Sequence, residues 1–352
     1  MIGSLQKYGG NSARALGRAG FTVLAQSGIA GGVYGTDDEL RAAGVHLVTA
    51  ERVWAAPLVL RYKHTDAQEL DRLHPGQGIG ALFHAEGNPL LLRALISSGI
   101  RAYSYEFVHD GDTFPLASPG GEIAGVQAVL VGARALQHPA GRGVLIAAVT
   151  GATPAGVLII GCGHVGAAAA RTAAALGAQV TVLAHTTASA DRYRTQTPEG
   201  VRVEINTPER LRTWLDRVDL VIGAILVSTH DTPPMITESD LGLMRPGAVI
   251  VDATCGYGAG YLPTAGPVQR IDDPPRVVRG ILHVKVDTLP AATPLTTTQA
   301  YTTAIIPYLV RLANVVLRGA EDPVIASACI AADHHLVHPV CRQHAGVYGI
   351  PT

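Results

Sequence analysis

An apolar run over 157–160 leads into Gly161-x-Gly163-x-x-Gly166, an alanine-rich stretch follows and closes at Gly177, and a second apolar run covers 180–183. Glycines at this spacing suit one task. Gly161 permits a tight turn, Gly163 lets the backbone approach a pyrophosphate, and Gly166 allows a helix to pack on the strand with its N-terminus facing the phosphates. The order strand, turn, helix, strand predicts dinucleotide binding. Such units usually end the second strand in Asp or Glu, which holds the ribose hydroxyls, but this chain has Ala184. An acid there would repel a 2′-phosphate. The residues beside the gap, His185, Thr186, Thr187 and Arg192, are donors that suit one. The expected cofactor is therefore NADP or NAD, with NADPH favoured.

A second group of chemically capable side chains lies near the C-terminus: Asp333, His334, His335, His338, Cys341 and His344. His338, Cys341 and His344 are spaced three apart, but Pro339 interrupts them, and zinc usually needs four well-placed ligands. No metal is expected, and the segment is read as an exposed helix. Cys162, inside the glycine turn, and Cys255 are read as small apolar fillers.

These side chains need a scaffold. A helix is expected near 12–19, with strands at 22–24, 58–62 and 79–83, an alternation that suits a parallel α/β sheet. Residues 121–136 are apolar almost all round, as in a buried helix. The nucleotide unit starts near Ala155, and further strands are expected at 220–224 and 248–252, the rhythm of a doubly wound sheet. A long apolar helix over 296–317 implies that the chain returns to its first domain. The expected organisation is a substrate domain from 1–118 and 297–352, with a dinucleotide-binding domain over 119–296.

At 352 residues the chain can bury two cores, and 47% apolar with 16% charged residues describes a folded protein. A formal net charge of −1 gives no electrostatic reason to expect nucleic acid or an anionic membrane. No run of about 18 uncharged apolar residues predicts a spanning helix. The opening residues lack the apolar core of a signal peptide. Four scattered cysteines with no CxxC pair fit a reducing compartment, so a cytoplasmic location is expected.

The blocks "SPGGEIAGVQAVLVGA" (118–133), "GRGVLIAAVTGATPAGVLIIGCGHVG" (141–166), "DLVIGAILV" (219–227), "MRPGAVIVDAT" (244–254) and "TTTQAYTTAIIPYLVRLAN" (296–314) occur in an order that resembles the alanine dehydrogenase and pyridine nucleotide transhydrogenase α-subunit family. Saccharopine dehydrogenases are more distant relatives. The likeness runs from about residue 12 to the C-terminus. It implies two Rossmann-like doubly wound domains, the central one binding the dinucleotide, a cleft between them where hydride passes, and a homodimer or hexamer. The cofactor set it implies is Gly161, Gly163, His164, Val165, Gly166, His185, Thr186, Thr187, Arg192, Ala224 and Leu226.

Site residues follow from the same resemblance. The family's lysine after an apolar strand matches Lys63 in "RYKH", and its histidine in "FLH" matches His84 in "LFH". The lysine implies contact with a substrate carbonyl or carboxylate. The histidine implies an acid/base, a role that an imidazole titrating near neutrality can fill. Glu106 matches a family "YE" and is expected to order Lys63 or the substrate. Two family groups have no counterpart. The arginine of "EFRVA" falls near Leu5 and Gln6, and the second aspartate of "DxAxDQGG" falls on Gly256 of Asp252-Ala-Thr-Cys-Gly256-Tyr257-Gly258. Arg61 or Arg101 is a candidate new carboxylate clamp, although each also reads as an ordinary surface charge, and Asp287, beside the "VANMP" position, is a candidate replacement for the aspartate. The expected function is NAD(P)-dependent oxidation or reduction at a C–N bond of an amino acid or imine other than alanine. The alternatives are a cyclodeaminase with retained NAD and a nucleotide-binding homologue without catalysis.

Overall fold

The computed structural model describes residues 1–4, 10–33, 35–64, 66–111, 113–225, 233–255 and 260–351. The chain begins β1 (Ile2–Ser4), α1 (Gly10–Arg18), β2 (Val23–Gln26), α2 (Asp37–Ala42), β3 (His46–Val48), α3 (Ala50–Trp54), β4 (Leu58–Lys63), β5 (Gly78–Leu82), α4 (Pro89–Ser98) and β6 (Arg101–Ser104). It continues α5 (Ser118–Ala135), β7 (Gly156–Ile160), α6 (His164–Ala175), β8 (Gln179–Ala184), α7 (Thr187–Arg194), β9 (Arg202–Ile205), α8 (Pro208–Leu215), β10 (Leu220–Gly223) and β11 (Val249–Asp252). The remainder is β12 (Arg276–Val278), β13 (Ile281–Val284), α9 (Pro294–Arg318), α10 (Pro323–Ala326), β14 (Cys329–Ala332), β15 (His335–Leu336) and α11 (Pro339–Val347). Two units result, Met1–Gly120 with Thr293–Thr352, and Gly121–Ala292.

The first unit carries an eight-stranded sheet in the order β15-β14-β6-β5-β4-β1-β2-β3. Strands β1 to β6 are parallel, and β14 and β15 add antiparallel at one edge. Reading 3-2-1-4-5-6, this is the doubly wound order, whose ligands bind beyond the carboxyl ends of the strands where the winding reverses. The reversal falls between β1 and β4. Leu58 and Leu60 of β4 join a core with α1 and α9, while Val59 joins the opposite core with Trp54, Ile79 and Phe83. Burial on both faces explains why the apolar residues of β4 and β5 run on without alternation. Helix α4 links β5 to β6 and has clear ends: Asn88 caps it by accepting from the Leu91 N–H, Pro89 opens it, and Gly99 closes it in the left-handed region.

Helix α9 has the length and apolar composition to cross a bilayer, which the sequence reading did not credit to 296–317. Its Ile305, Leu309, Leu312 and Ala313 are instead spent on the core of the first unit. Arg311 in its third turn from the end donates from Nε and Nη2 to Asp322 at 2.6 and 2.7 Å.

The second unit carries a seven-stranded sheet in the order β12-β13-β11-β10-β7-β8-β9, parallel except for the β12 edge. Its reversal lies between β7 and β10. Helix α5 is buried through Ala124, Ala128 and Val129 against β7, β10 and β11 residues, which accounts for its nearly uniform apolarity.

The C-terminal segment departs from expectation. Asp333 and His334 take φ of 48° and 64° and form the turn between β14 and β15. Short polar residues tolerate that left-handed turn, and the hairpin needs it. Pro339 does not interrupt a helix but opens α11 at its first position, where its missing N–H is harmless. Nor is α11 an exposed helix, since Cys341 and His344 are buried. Among the described residues no group of His, Cys, Asp and Glu could hold a metal ion.

Candidate active site

In the first unit, the carboxyl ends of three neighbouring parallel strands carry the chemically capable residues. Lys63 is the last residue of β4 and pairs with Leu82 of β5 after an irregularity that follows Leu60. His84 lies two residues beyond β5, and Glu106 lies two beyond β6 in the turn Tyr105–Phe107. The Glu106 carboxylate accepts from the Phe83 N–H at 3.1 Å and from the His84 N–H at 2.5 Å. It also stands 3.8 Å from His84 Nδ1. Glu106 therefore orders His84. His84 has φ 46° and ψ 42°, a left-handed conformation rare for a side-chain-bearing residue. Holding it there costs on the order of 1–3 kcal/mol and requires support. The two N–H bonds into one buried carboxylate give that support.

The two candidate clamps both have partners within the first unit. Arg61 is mostly buried, donates to Glu69, lies 2.8 Å from His64 Nδ1 and covers the Trp54 ring at 5.3 Å. It is not an ordinary surface charge. Arg101 donates to the Gly76 and Val316 carbonyls. His64, next to Lys63, is enclosed by Trp54 and Phe83, and burial with the Arg61 charge lowers its pKa to about 4. It stays neutral at physiological pH. Tyr62 meets Tyr301 of α9 edge to face, with ring centroids 4.9 Å apart. Leu5 and Gln6 lie outside the described residues.

One acid in this region has no place in the sequence reading. Glu86, in the turn Ala85–Gly87, has its carboxyl pushed up to about 7 by burial and by the Glu106 charge. Its only sequence signal is an acid two residues after the candidate histidine.

In the second unit, Gly161 ends β7 with φ 110°, and a Cβ there would meet the Ala224 carbonyl oxygen at 2.5 Å. A Cβ on Gly166 would collide with the Gly161 carbonyl, so the close fit of α6 on this turn requires glycine. Around Gly163 the reverse holds: a Cβ would meet nothing within 4 Å. Gly163 is also the N-cap of α6 and, as glycine, offers no side-chain cap of its own. Exposed His164 and half-buried Val165 begin the helix. A helix N-terminus with open space at Gly163, at the sheet's winding reversal and beside buried Ala224 just after β10, fits a dinucleotide pyrophosphate.

The adenosine side fits less completely. Ala184 is fully buried and presents no polar group. Thr186 caps α7, accepting from the Ser189 N–H at 3.1 Å, so its hydroxyl is engaged. His185, Thr187 and Arg192 are exposed. Arg192 acts on the Cys162 thiol of the glycine turn, although burial dominates and pushes that thiol up. Asp287 is exposed after β13. Leu226 and residues 256–258 lie outside the described residues.

The sequence reading missed Lys285. It is buried, as is Asp252 at the end of the adjacent strand β11, and the two pair at 3.6 Å. Asp252 also accepts from the Cys255 N–H at 3.0 Å and thereby fixes the start of the loop after β11.

Comparison with known proteins extends this geometry. Residues 10–124 match the alanine dehydrogenase/PNT N-terminal domain and residues 128–339 the C-terminal domain. The chain is 31% identical over 340 residues to an alanine dehydrogenase of Bacillus subtilis, covering 95% of this chain and 89% of that one. It is 38% identical over 323 residues to an alanine dehydrogenase of Mycobacterium tuberculosis, covering 88% and 85%. Among solved structures, an L-alanine dehydrogenase superposes with a TM-score of 0.87 at 31% identity, covering 98% of this chain and 99% of that one. A transhydrogenase from Sinorhizobium meliloti shares the fold, with a TM-score of 0.78 at 19% identity, covering 96% and 100%. The chain belongs to the alanine dehydrogenase/pyridine nucleotide transhydrogenase family of nicotinamide-dependent oxidoreductases.

Proposed function

We propose that this protein oxidises or reduces a C–N bond in a small amino or imino substrate other than alanine, with NADPH as its preferred cofactor. The observation that carries the reading is the gathering of Lys63, His84 and Glu106 at the ends of adjacent parallel strands, with His84 held in a strained conformation by Glu106. Oxidising an amine to an imine releases one hydride and one proton. A nicotinamide dinucleotide, its pyrophosphate held at Gly161, Gly163 and Gly166, would supply the hydride chemistry. His84 takes up the proton, and in the reverse direction returns it. Lys63 draws electron density from a carbonyl or imine, or pairs with a substrate carboxylate.

The departure from alanine rests on residue types. Gly256 stands where the family resemblance implies a carboxylate, and Leu5 and Gln6 stand where it implies an arginine. Bidentate guanidinium recognition of a carboxylate is hard to replace. Arg61 and Arg101 are committed elsewhere. The cofactor preference rests on Ala184, which leaves no acid to repel a 2′-phosphate, and on exposed Arg192 near the glycine turn.

A screen of amino acids, keto acids with ammonia or an amine, and cyclic imines tests the reading through absorbance of the reduced nicotinamide. Turnover of an imine or a larger amino acid, at a kcat/KM at least about tenfold above that for alanine, is expected; tenfold is about 1.4 kcal/mol of transition-state discrimination. Alanine as the best substrate would overturn the substrate assignment. Cofactor binding with no turnover of any substrate would reduce the protein to a nucleotide binder.

A further inference from the structure

One buried phenol in the second unit joins two loops at the carboxyl ends of the strands. The Tyr261 oxygen accepts from the Ile225 N–H, just after β10, at 3.3 Å and lies 3.0 Å from Thr254 Oγ1, just after β11. Thr254 Oγ1 stands in turn 3.3 Å from Asp252 Oδ1. That carboxylate also accepts from the Thr254 and Cys255 N–H groups, at 3.3 and 3.0 Å, and so holds the turn in which Cys255 takes a left-handed φ of 48°.

One assignment of protons satisfies every contact in this chain. A carboxylate accepts and does not donate, and Asp252 has Lys285 as its ion partner at 3.6 Å. The Thr254 hydroxyl therefore donates to Asp252 and accepts the Tyr261 proton, which leaves a Tyr261 lone pair for the Ile225 N–H. Bonds aligned head to tail in this way polarise and strengthen one another.

The loop after β10 lies directly against the glycine turn. The Ala224 N–H donates to the Ile160 carbonyl at 2.8 Å, and a Cβ on Gly161 would meet Ile225 Cγ1 at 3.3 Å as well as the Ala224 carbonyl. The phenol is pressed onto the end of β10: a Cβ on Gly223 would stand 2.5 Å from the Tyr261 oxygen. A doubly wound sheet seats the two mononucleotide halves of its ligand on either side of the winding reversal. With the adenosine side at β8 and α7, the ends of β10 and β11 fall on the nicotinamide side.

We propose that Tyr261 is a positioning residue for the nicotinamide half of the cofactor: its hydroxyl clasps the loops after β10 and β11 together and so fixes the wall that faces the glycine turn. This rests on the reading of Gly161, Gly163 and Gly166 as the dinucleotide seat. No contact between Tyr261 and the cofactor is required. The wall is in place before the cofactor arrives, so binding does not have to order it. Phenylalanine at 261 fills the same space but leaves the Ile225 N–H without this acceptor.

The test is calorimetric titration of wild type and Tyr261→Phe with NADPH and NADH, and with their adenosine fragments, adenosine 2′,5′-bisphosphate and AMP. Tyr261→Phe is expected to weaken the preferred dinucleotide by about tenfold, the scale of one buried donor left unpaired, while affinity for its fragment stays unchanged. Thr254→Ser, which keeps the hydroxyl, is expected to bind the dinucleotide like wild type. Equal dinucleotide affinity in Tyr261→Phe and wild type would overturn the proposal. So would equal weakening of dinucleotide and fragment, which would show that the phenol supports the fold of the unit rather than one half of the site. A wild-type protein that binds neither dinucleotide would instead bring down the reading of the glycine turn, and the proposal with it. Should Tyr261→Phe fail to fold, Thr254→Val, which takes away the acceptor of the Tyr261 proton, carries the same comparison with the same expected and contrary results.

Discussion

His84 shows how one side chain is made available by its neighbours. Its left-handed backbone turns the chain sharply after β5, and Glu106 holds that turn through the N–H groups of residues 83 and 84. Glu106→Gln keeps the shape but gives up the charge of the acceptor. Hydrogen bonds to ionised groups contribute roughly 1.5–3 kcal/mol against roughly 1 for neutral ones, so a stability loss of about 1–2 kcal/mol is expected in urea unfolding. No change would mean that the carboxylate does not hold the turn. From the sequence, Glu106 was visible only as a match to a family pattern. That it binds the backbone of the histidine follows from the pairing of β5 with β6, which no local residue pattern reveals.

At the scale of elements, the buried pair of Asp252 and Lys285 ties the end of β11 to the residue after β13. Lys285→Met leaves the Asp252 charge without this partner in the interior, a change that typically costs 3–5 kcal/mol. The combined Asp252→Asn, Lys285→Met protein is expected to be more stable than the Lys285→Met protein, because it removes the stranded charge. Thermal unfolding of the three proteins checks this, and a double variant less stable than the single would contradict it. Elements with long apolar patterns were legible in the sequence: β4, β5, β7, β10, β11, α5 and α9 all fall where the expected runs lie. Lys285 was not, because a single lysine within an apolar strand end gives no sign of whether it reaches solvent or a buried acid. The C-terminal histidines misled for a related reason. The segment reads as one exposed helix, whereas Asp333 and His334 are turn residues and Cys341 and His344 lie on the buried side of α11.

At the scale of the whole molecule, two buried groups of the first unit make opposite demands on pH. The folded His64 pKa is about 4, below its ordinary 6.5, so the unfolded chain binds a proton that the native chain refuses, and stability is lost as pH falls from 6.5 toward 4. The folded Glu86 pKa is about 7, above its ordinary 4.5, so stability is lost as pH rises from 4.5 toward 7. Between roughly 4.5 and 6.5 the two cancel, and their joint contribution is flat. Glu86→Gln leaves the His64 slope alone, so its stability relative to wild type is expected to rise with pH across that interval by about 1.4 kcal/mol per pH unit. His64→Leu is expected to show the opposite slope. Urea unfolding followed through Trp54, in a Trp214→Phe background, reports on the unit that holds both groups. Parallel wild-type and variant curves would contradict this account.

In the proposed reaction one unit holds the dinucleotide at Gly161, Gly163 and Gly166, and the other supplies the proton chemistry through His84. His84→Gly separates these roles, because glycine takes the left-handed backbone without strain and removes only the imidazole. The most direct measurement is kcat for the best substrate in this variant, with NADPH affinity measured alongside. A fall in kcat of roughly 10²–10⁴-fold is expected, with affinity for NADPH unchanged. Turnover within a few-fold of wild type would contradict it.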